Sequence, residues 1–163
     1  MIKGITRTGI LLLTSISLIH ALPQADKVMV KKGERKMFLM KNNKIFRSYQ
    51  IGLGKNPRGH KRKKGDNRTP EGRYLIDWRN AKSKYYKSLH ISYPRSDDIE
   101  AADGRGDDPG GMIMIHGMPN KYPRAGKYMR GIDWTNGCIA VTNEEMDEIW
   151  RCVADSVVIE ILP

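Results

Sequence analysis

Only two of the 163 residues are cysteine and only two are phenylalanine, and no apolar run is long enough to cross a bilayer. Two thiols cannot build a disulfide-stapled scaffold or a four-cysteine zinc site. The longest greasy stretch, residues 9–19, has eleven residues, whereas a spanning helix needs about 20. Acid is scarce as well: 18 Asp and Glu face 29 Lys and Arg, a net charge of +11. An excess of that size points to a polyanionic partner, whether nucleic acid, anionic lipid or an envelope polymer. Against these shortages, 39% of the chain is hydrophobic, with three Trp and seven Tyr. That is enough for a real core, so the chain is not disordered throughout, and its length suits one domain.

The N-terminus carries Lys3 and Arg7 with no acid, then the short apolar run, then His20, Ala21, Leu22, Pro23, Gln24 and Ala25. A basic start, a brief greasy middle and small residues after it are the layout of a secretory signal. Residues 1–25 are therefore expected to be a signal peptide, cleaved near Ala21 or Ala25. The alternatives are an uncleaved anchor and a buried N-terminal element. Cleavage after Ala21 removes two positive charges and no negative one, taking the net charge from +11 to +9. Export favours an envelope polymer over nucleic acid as partner, with membrane contact limited to the signal itself.

From Lys27 onward, short alternating runs around Val28, Met37, Leu39 and Ile45 read as strands. Lys32-Gly33-Glu34 and Asn42-Asn43-Lys44 supply the turns between them. Residues 55–68 form a strongly basic loop, by default a solvated one. Thr69-Pro70-Glu71-Gly72 suits a type I turn. Tyr74 to Ile76 and Leu89 to Tyr93 are further strands, and residues 96–111, acidic and glycine-rich, read as a loop whose spacing does not fit a calcium site. The unbroken apolar run Met112-Ile113-Met114-Ile115 suits a strand buried on both faces. Residues 118–134 read as irregular. After Cys138, Thr142 and Glu145 form a capping box, and Met146, Ile149, Trp150 and Val153 recur at helical spacing. A strand from Val157 to Leu162 closes the chain. Many strands and one clear helix predict a mainly β sandwich or barrel-like fold.

Two residues stand out for chemistry. Cys138 follows Gly137 at a loop-to-strand junction, where little crowds the sulfur and a lowered pKa would make a strong nucleophile. His116 ends the apolar strand, a rigid place from which to aim an imidazole at that sulfur. The competing reading joins Cys138 to Cys152, the only other thiol, in a disulfide. His90, flanked by Leu89 and Ile91, is expected to be structural, and His60 lies in the basic loop. No metal or cofactor is expected, because nothing near His116 is spaced to supply further ligands.

In this order, Gly52-Leu53-Gly54, Thr69-Pro70-Glu71-Gly72, Ile91-Ser92-Tyr93-Pro94, Pro109-Gly110-Gly111, His116-Gly117 and Thr135-Asn136-Gly137-Cys138 resemble the L,D-transpeptidase catalytic-domain (YkuD-type) family. The family's enzymes act on bacterial peptidoglycan, and the likeness is to its single-domain exported branch. Asn136 stands where the common pattern has His, and Ala140 where it often has Asn or Arg. The 18 residues between His116 and Thr135 make a slightly long loop.

The resemblance implies that residues 26–163 are the catalytic domain and that Cys138 is the nucleophile. It further implies His116 as base, held by the carbonyl of Gly117, and backbone N–H groups around Gly137 and Cys138 as oxyanion donors, with Thr135 and Asn136 beside substrate. Asp133 receives no role from it. The implied reaction acylates Cys138 with a stem tetrapeptide, expels D-Ala and transfers the acyl group to an amine. A hydrolase cleaving a cross-link or a murein–lipoprotein bond shares the same site. Peptidoglycan stem peptides, and a murein-anchored lipoprotein as acceptor, are the implied partners, in the periplasm or cell envelope. The rival of another class is a non-catalytic basic module that binds the envelope through its charge.

Overall fold

The computed structural model describes residues 22–163, so the expected export signal lies outside the described residues except for its last four positions. Those four are tied down: Leu22 packs on the core, Gln24 Nε2 donates to the Arg151 carbonyl at 2.8 Å, and the N–H of buried Ala25 donates to the Cys152 carbonyl at 2.8 Å. Cleavage after Ala21 would keep these contacts; cleavage after Ala25 would delete them.

Eight strands form one sheet. In chain order they are β1 (Lys27–Lys31), β2 (Lys36–Lys41), β3 (Lys44–Gln50), β4 (Gly72–Ser83), β5 (Tyr86–Ile91), β6 (Met114–His116), β7 (Ile139–Ala140) and β8 (Val158–Leu162). Across the sheet they run β3-β2-β1-β8-β4-β5-β6-β7. The β1–β8 and β6–β7 pairs are parallel and the rest antiparallel. The long strand β4 serves both halves: Gly72 to Leu75 pair with β8, and Ile76 to Ser83 pair with β5 in a ladder whose register shifts between Ile76 and Arg79 and between Asn80 and Ser83. The two outer strands then meet. Gly52, just past β3, exchanges both backbone hydrogen bonds with Ala140 of β7 at 2.9 Å. With the Gly54–Thr135 bridge, this pairing ties the two ends of the sheet together beyond β3, whose own residues pair only with β2. The architecture is the mainly β, barrel-like one expected.

Alternation fills the interior. Val28 and Val30 of β1, Met37 and Leu39 of β2, and Ile159 and Ile161 of β8 are buried between exposed or half-buried neighbours. Each such side chain contributes roughly 1.5–3 kcal/mol on leaving water. Asn42 and Asn43 both take positive φ, the conformation that a tight two-residue hairpin demands between β2 and β3. The expected helix is present as α3 (Asn143–Cys152). Thr142 Oγ1 accepts from the Glu145 N–H at 3.2 Å and Glu145 Oε2 accepts from the Thr142 N–H at 2.9 Å. Met146, Ile149 and Cys152 face the core.

Several local expectations fail for physical reasons. The acidic stretch is not all loop: it holds α1 (Ser96–Asp103), whose inward anchor is polar and so leaves no apolar period. Buried Asp98 accepts from the Arg95 N–H at 2.9 Å, binds Tyr74 Oη at 3.2 Å and pairs with His60 Nε2 at 3.1 Å. Residues 69–71 form no turn and lead into β4 at Gly72, with Thr69 buried and its Oγ1 accepting from the Gly54 N–H at 3.1 Å. Met112 lies outside the buried strand, 64% exposed at a positive φ. The irregular 118–134 segment contains a turn of 3-10 helix (Pro123–Ala125) and a single helical turn, α2 (Gly126–Met129).

The basic loop is not merely solvated. Asp66 collects the N–H groups of Arg62, Lys63 and Arg68 and the ammonium of Lys61. Burial alone would push that carboxyl up, but the four hydrogen bonds win and hold it at about 2. Lys32 roots the loop from below, its buried ammonium donating to Gly59 O, Thr69 O and Glu71 Oε1, each at 2.8 Å.

Candidate active site

His116 ends β6, and Cys138 immediately precedes β7. In the parallel ladder His116 pairs with Ala140 and Ile115 with Ile139. Partners in a parallel pair share a face, and so do residues two apart on one strand. Cys138, two before Ala140, therefore lies on the face of His116 and diagonal to it. Both side chains line one cavity of about 280 Å³ with Lys55, Tyr85, Trp134, Thr135 and Asn136. The structure thus brings together Cys138, His116, Thr135 and Asn136, which the sequence singled out, and leaves His60 and His90 outside. His90 stacks on Trp78 at 4.7 Å and pairs with Asp77 at 2.6 Å, a structural role as expected. Asp133 is also structural: it accepts from the Leu53 N–H at 3.0 Å and from Arg35 at 2.8 Å.

His116 is buried, and its Nδ1 lies 2.7 Å from the Gly117 carbonyl oxygen. A carbonyl can only accept, so Nδ1 carries the proton and Nε2 keeps a free lone pair. Burial lowers the imidazole pKa to about 4, and the Gly117 bond pulls the other way. The ring is wedged between Tyr85, at 4.6 Å between centroids, and the edge of Trp134, at 5.6 Å. A Cβ on Gly117 would meet Asn143 Oδ1 at 2.6 Å and Tyr86 Cβ at 3.0 Å, so a larger residue would have to displace the Asn143 amide from the Met118 N–H.

Burial raises the Cys138 thiol, while the Met114 N–H and the distant Lys61 charge lower it. Its sulfur donates to the Met112 carbonyl at 3.6 Å. With the acid raised and the base lowered, the resting pair is neutral thiol and neutral imidazole. Cys138 and Cys152 are both free, which removes the expected disulfide alternative: Cys152 is consumed in core packing on α3. Native protein is accordingly expected to titrate one thiol, Cys138, with a disulfide-forming reagent, and two after unfolding. No reactive thiol before unfolding would contradict these positions.

The Thr135–Gly137 turn differs from expectation. Thr135 is buried and its Oγ1 is used inward, donating to Cys138 O at 2.7 Å and accepting from the Gly137 N–H at 3.1 Å. Gly137 N–H, expected as an oxyanion donor, is therefore already engaged, whereas among the described residues the Cys138 N–H has no protein partner. Only Asn136 exposes its side chain, whose Oδ1 accepts from Lys55 Nζ at 3.4 Å. Gly137 sits at φ +128°, and a Cβ there would lie 2.7 Å from Arg68 O. Gly137→Ala is expected to lower stability by about 3 kcal/mol, combining backbone strain with overpacking. Denaturant unfolding measures this, and an unchanged midpoint would contradict it. Sequence reasoning missed Tyr85, Trp134 and Lys55. The only available signal was the aromatic beside Thr135.

The L,D-transpeptidase catalytic domain family, YkuD, matches residues 25–161. The chain belongs to the L,D-transpeptidase catalytic-domain family. "Putative L,D-transpeptidase YafK" of Escherichia coli (strain K12) is 31% identical over 131 residues, 79% of this chain and 43% of that protein. Among solved structures, the helical cell shape determining protein Pgp2 from Campylobacter jejuni superimposes with a TM-score of 0.61 at 25% identity, over 83% of this chain and 46% of that one. An L,D-transpeptidase from Mycobacterium smegmatis shares the fold at a TM-score of 0.56 and 9% identity, over 84% and 58% of the two chains. This L,D-transpeptidase-family chain thus spans under half the length of YafK and Pgp2.

Proposed function

We propose that the protein is an exported peptidoglycan L,D-transpeptidase acting through Cys138 and His116. The single observation that carries this reading is the shared face and shared cavity of a free thiol and a buried imidazole whose Nδ1 is held by Gly117 O. Cys138 Sγ attacks the carbonyl of the third residue of a stem tetrapeptide while its proton passes to His116 Nε2. The tetrahedral oxyanion is met by the Cys138 N–H, a donor of the kind that typically contributes about 3 kcal/mol. As the C–N bond breaks, His116 returns the proton to the departing D-Ala amine. An acceptor amine then attacks the thioester, His116 takes its proton, and the thiol is restored.

Membership of the family supports this reaction class, and the cell-shape-determining role of Pgp2 supports the cell wall as its setting. The net charge of +9 left after cleavage at Ala21 suits a carboxylate-bearing polymer, through attraction that salt would weaken. Residues 1–21 act as the export signal, cleaved after Ala21, and residues 22–25 stay docked on the catalytic unit 26–163. Mass analysis of products from a purified disaccharide-tetrapeptide, with and without an amine acceptor, tests the function. Released D-Ala with an acceptor-dependent adduct supports transfer; water-only products make the enzyme a hydrolase. No change in the tetrapeptide would overturn the reading.

A further inference from the structure

We propose that residues 118–132, the span between His116 and the Cys138 turn, form a docking surface for the glycan backbone of the cell-wall polymer. This rests on the function proposed above and adds a surface beyond the reacting pair. The span carries Lys121, Arg124, Lys127 and Arg130 and no acid. Arg130 pairs with Glu145 of α3. Among the described residues Lys121, Arg124 and Lys127 form no ion pair, and Lys121 lies over the Tyr122 ring at 5.5 Å. Two phenol rings stand out from the same span, Tyr122 58% and Tyr128 76% exposed.

The backbone that presents them is clamped. Asn120 Nδ2 donates to Ser83 O at 2.9 Å and Asn120 Oδ1 accepts from the Tyr86 N–H at 2.9 Å. The Met118 N–H donates to Asn143 Oδ1 at 2.8 Å. Gly126 lies so close to Thr142 that a Cβ would approach it to 3.1 Å, and Gly131 lies equally close to Gln50. Unpaired like charges repel, and exposed rings waste burial. Holding both on a clamped backbone is understandable if a partner covers them. The partner's chemistry follows from the mixture. Tyr rings pack against the apolar faces of sugar rings while their hydroxyls bond sugar hydroxyls, and the cations meet the carboxylates of the stem peptides that the glycan carries. A bilayer surface would call for several Trp, Phe or Leu wedges, whereas 118–132 holds none and exposes only one large aliphatic side chain, Ile132. Single-stranded nucleic acid would also use cations and rings. Position decides between them, because the span joins the two residues proposed to react with the peptides such a glycan carries.

The test uses the full chain carrying Cys138→Ala, so that binding is read without turnover, in co-sedimentation with purified sacculi. Lys121→Gln/Arg124→Gln/Lys127→Gln is expected to lower the bound fraction about tenfold, as is raised salt. Tyr122→Ser/Tyr128→Ser should lower it at unchanged charge. With the span unaltered, sacculi should protect Lys121 and Lys127 from acetylation, a readout that needs no folded variant. Unchanged sedimentation in both variants, or no protection, would overturn the proposal. So would span-dependent binding to oligothymidine or to phosphatidylglycerol vesicles but not to sacculi. Turnover of a soluble muropeptide by the unaltered protein tests the underlying function separately, so the two can fail independently.

Discussion

Replacing Cys138 with alanine is expected to end D-Ala release from a stem tetrapeptide, a loss of about 10³-fold or more. The fold should survive, because the side chain is half-buried at the cavity and contributes no core packing comparable to that of Cys152. A trapped acyl-enzyme offers the complementary reading: a carbapenem should add its mass to Cys138 in the unaltered protein and none to the variant. Full activity of Cys138→Ala would end the nucleophile assignment. Equal denaturant midpoints would show that the loss is chemical.

The second large effect is expected for His116→Gln. The amide fills similar space and retains a donor toward Gly117 O but offers no basic lone pair, so acylation should fall by about 10²–10⁴-fold. The pH dependence carries the finer test. Burial holds the His116 imidazole at about 4 and raises the Cys138 thiol, so both are neutral near pH 7. A base is therefore available from about pH 4 upward, and the proton moves during attack rather than before it. Iodoacetamide should alkylate Cys138 slowly at neutral pH, with a rate that climbs only in the alkaline range. A fast plateau near pH 6 would mean a preformed thiolate–imidazolium pair and would refute the neutral state. The same shift has a cost in stability. Unfolded histidine takes up a proton below about 6.5, the folded form only near 4, so stability falls as pH drops between those values. His116→Gln should flatten that part of the stability profile.

Much of this was readable in the chain, and the reason is locality. Alternation marked β1, β2 and β8, a capping box with a helical stripe marked α3, and the hairpin asparagines marked the turn between β2 and β3. Each depends on neighbours within one or two turns of backbone. Where a segment is anchored by distant polar groups, the pattern vanishes. Helix α1 hangs on buried Asp98, which binds Tyr74 and His60, and the basic loop is organised by Asp66 and the buried ammonium of Lys32. Neither anchor has an apolar period to read.

The same division runs through the site. The sequence by itself determined the two residues capable of the chemistry, the glycine before the sulfur, the surplus of positive charge and the family, because residue type and order suffice for these. The tertiary structure decided the rest. The β6–β7 register placed sulfur and imidazole on one face, and burial set their proton affinities in opposite directions. Packing turned Thr135 and the Gly137 N–H inward and set Tyr85 and Trp134 around the ring. The reason is physical: reactivity belongs to a side chain, but the pKa and aim of that side chain belong to whatever distant residues the fold packs against it.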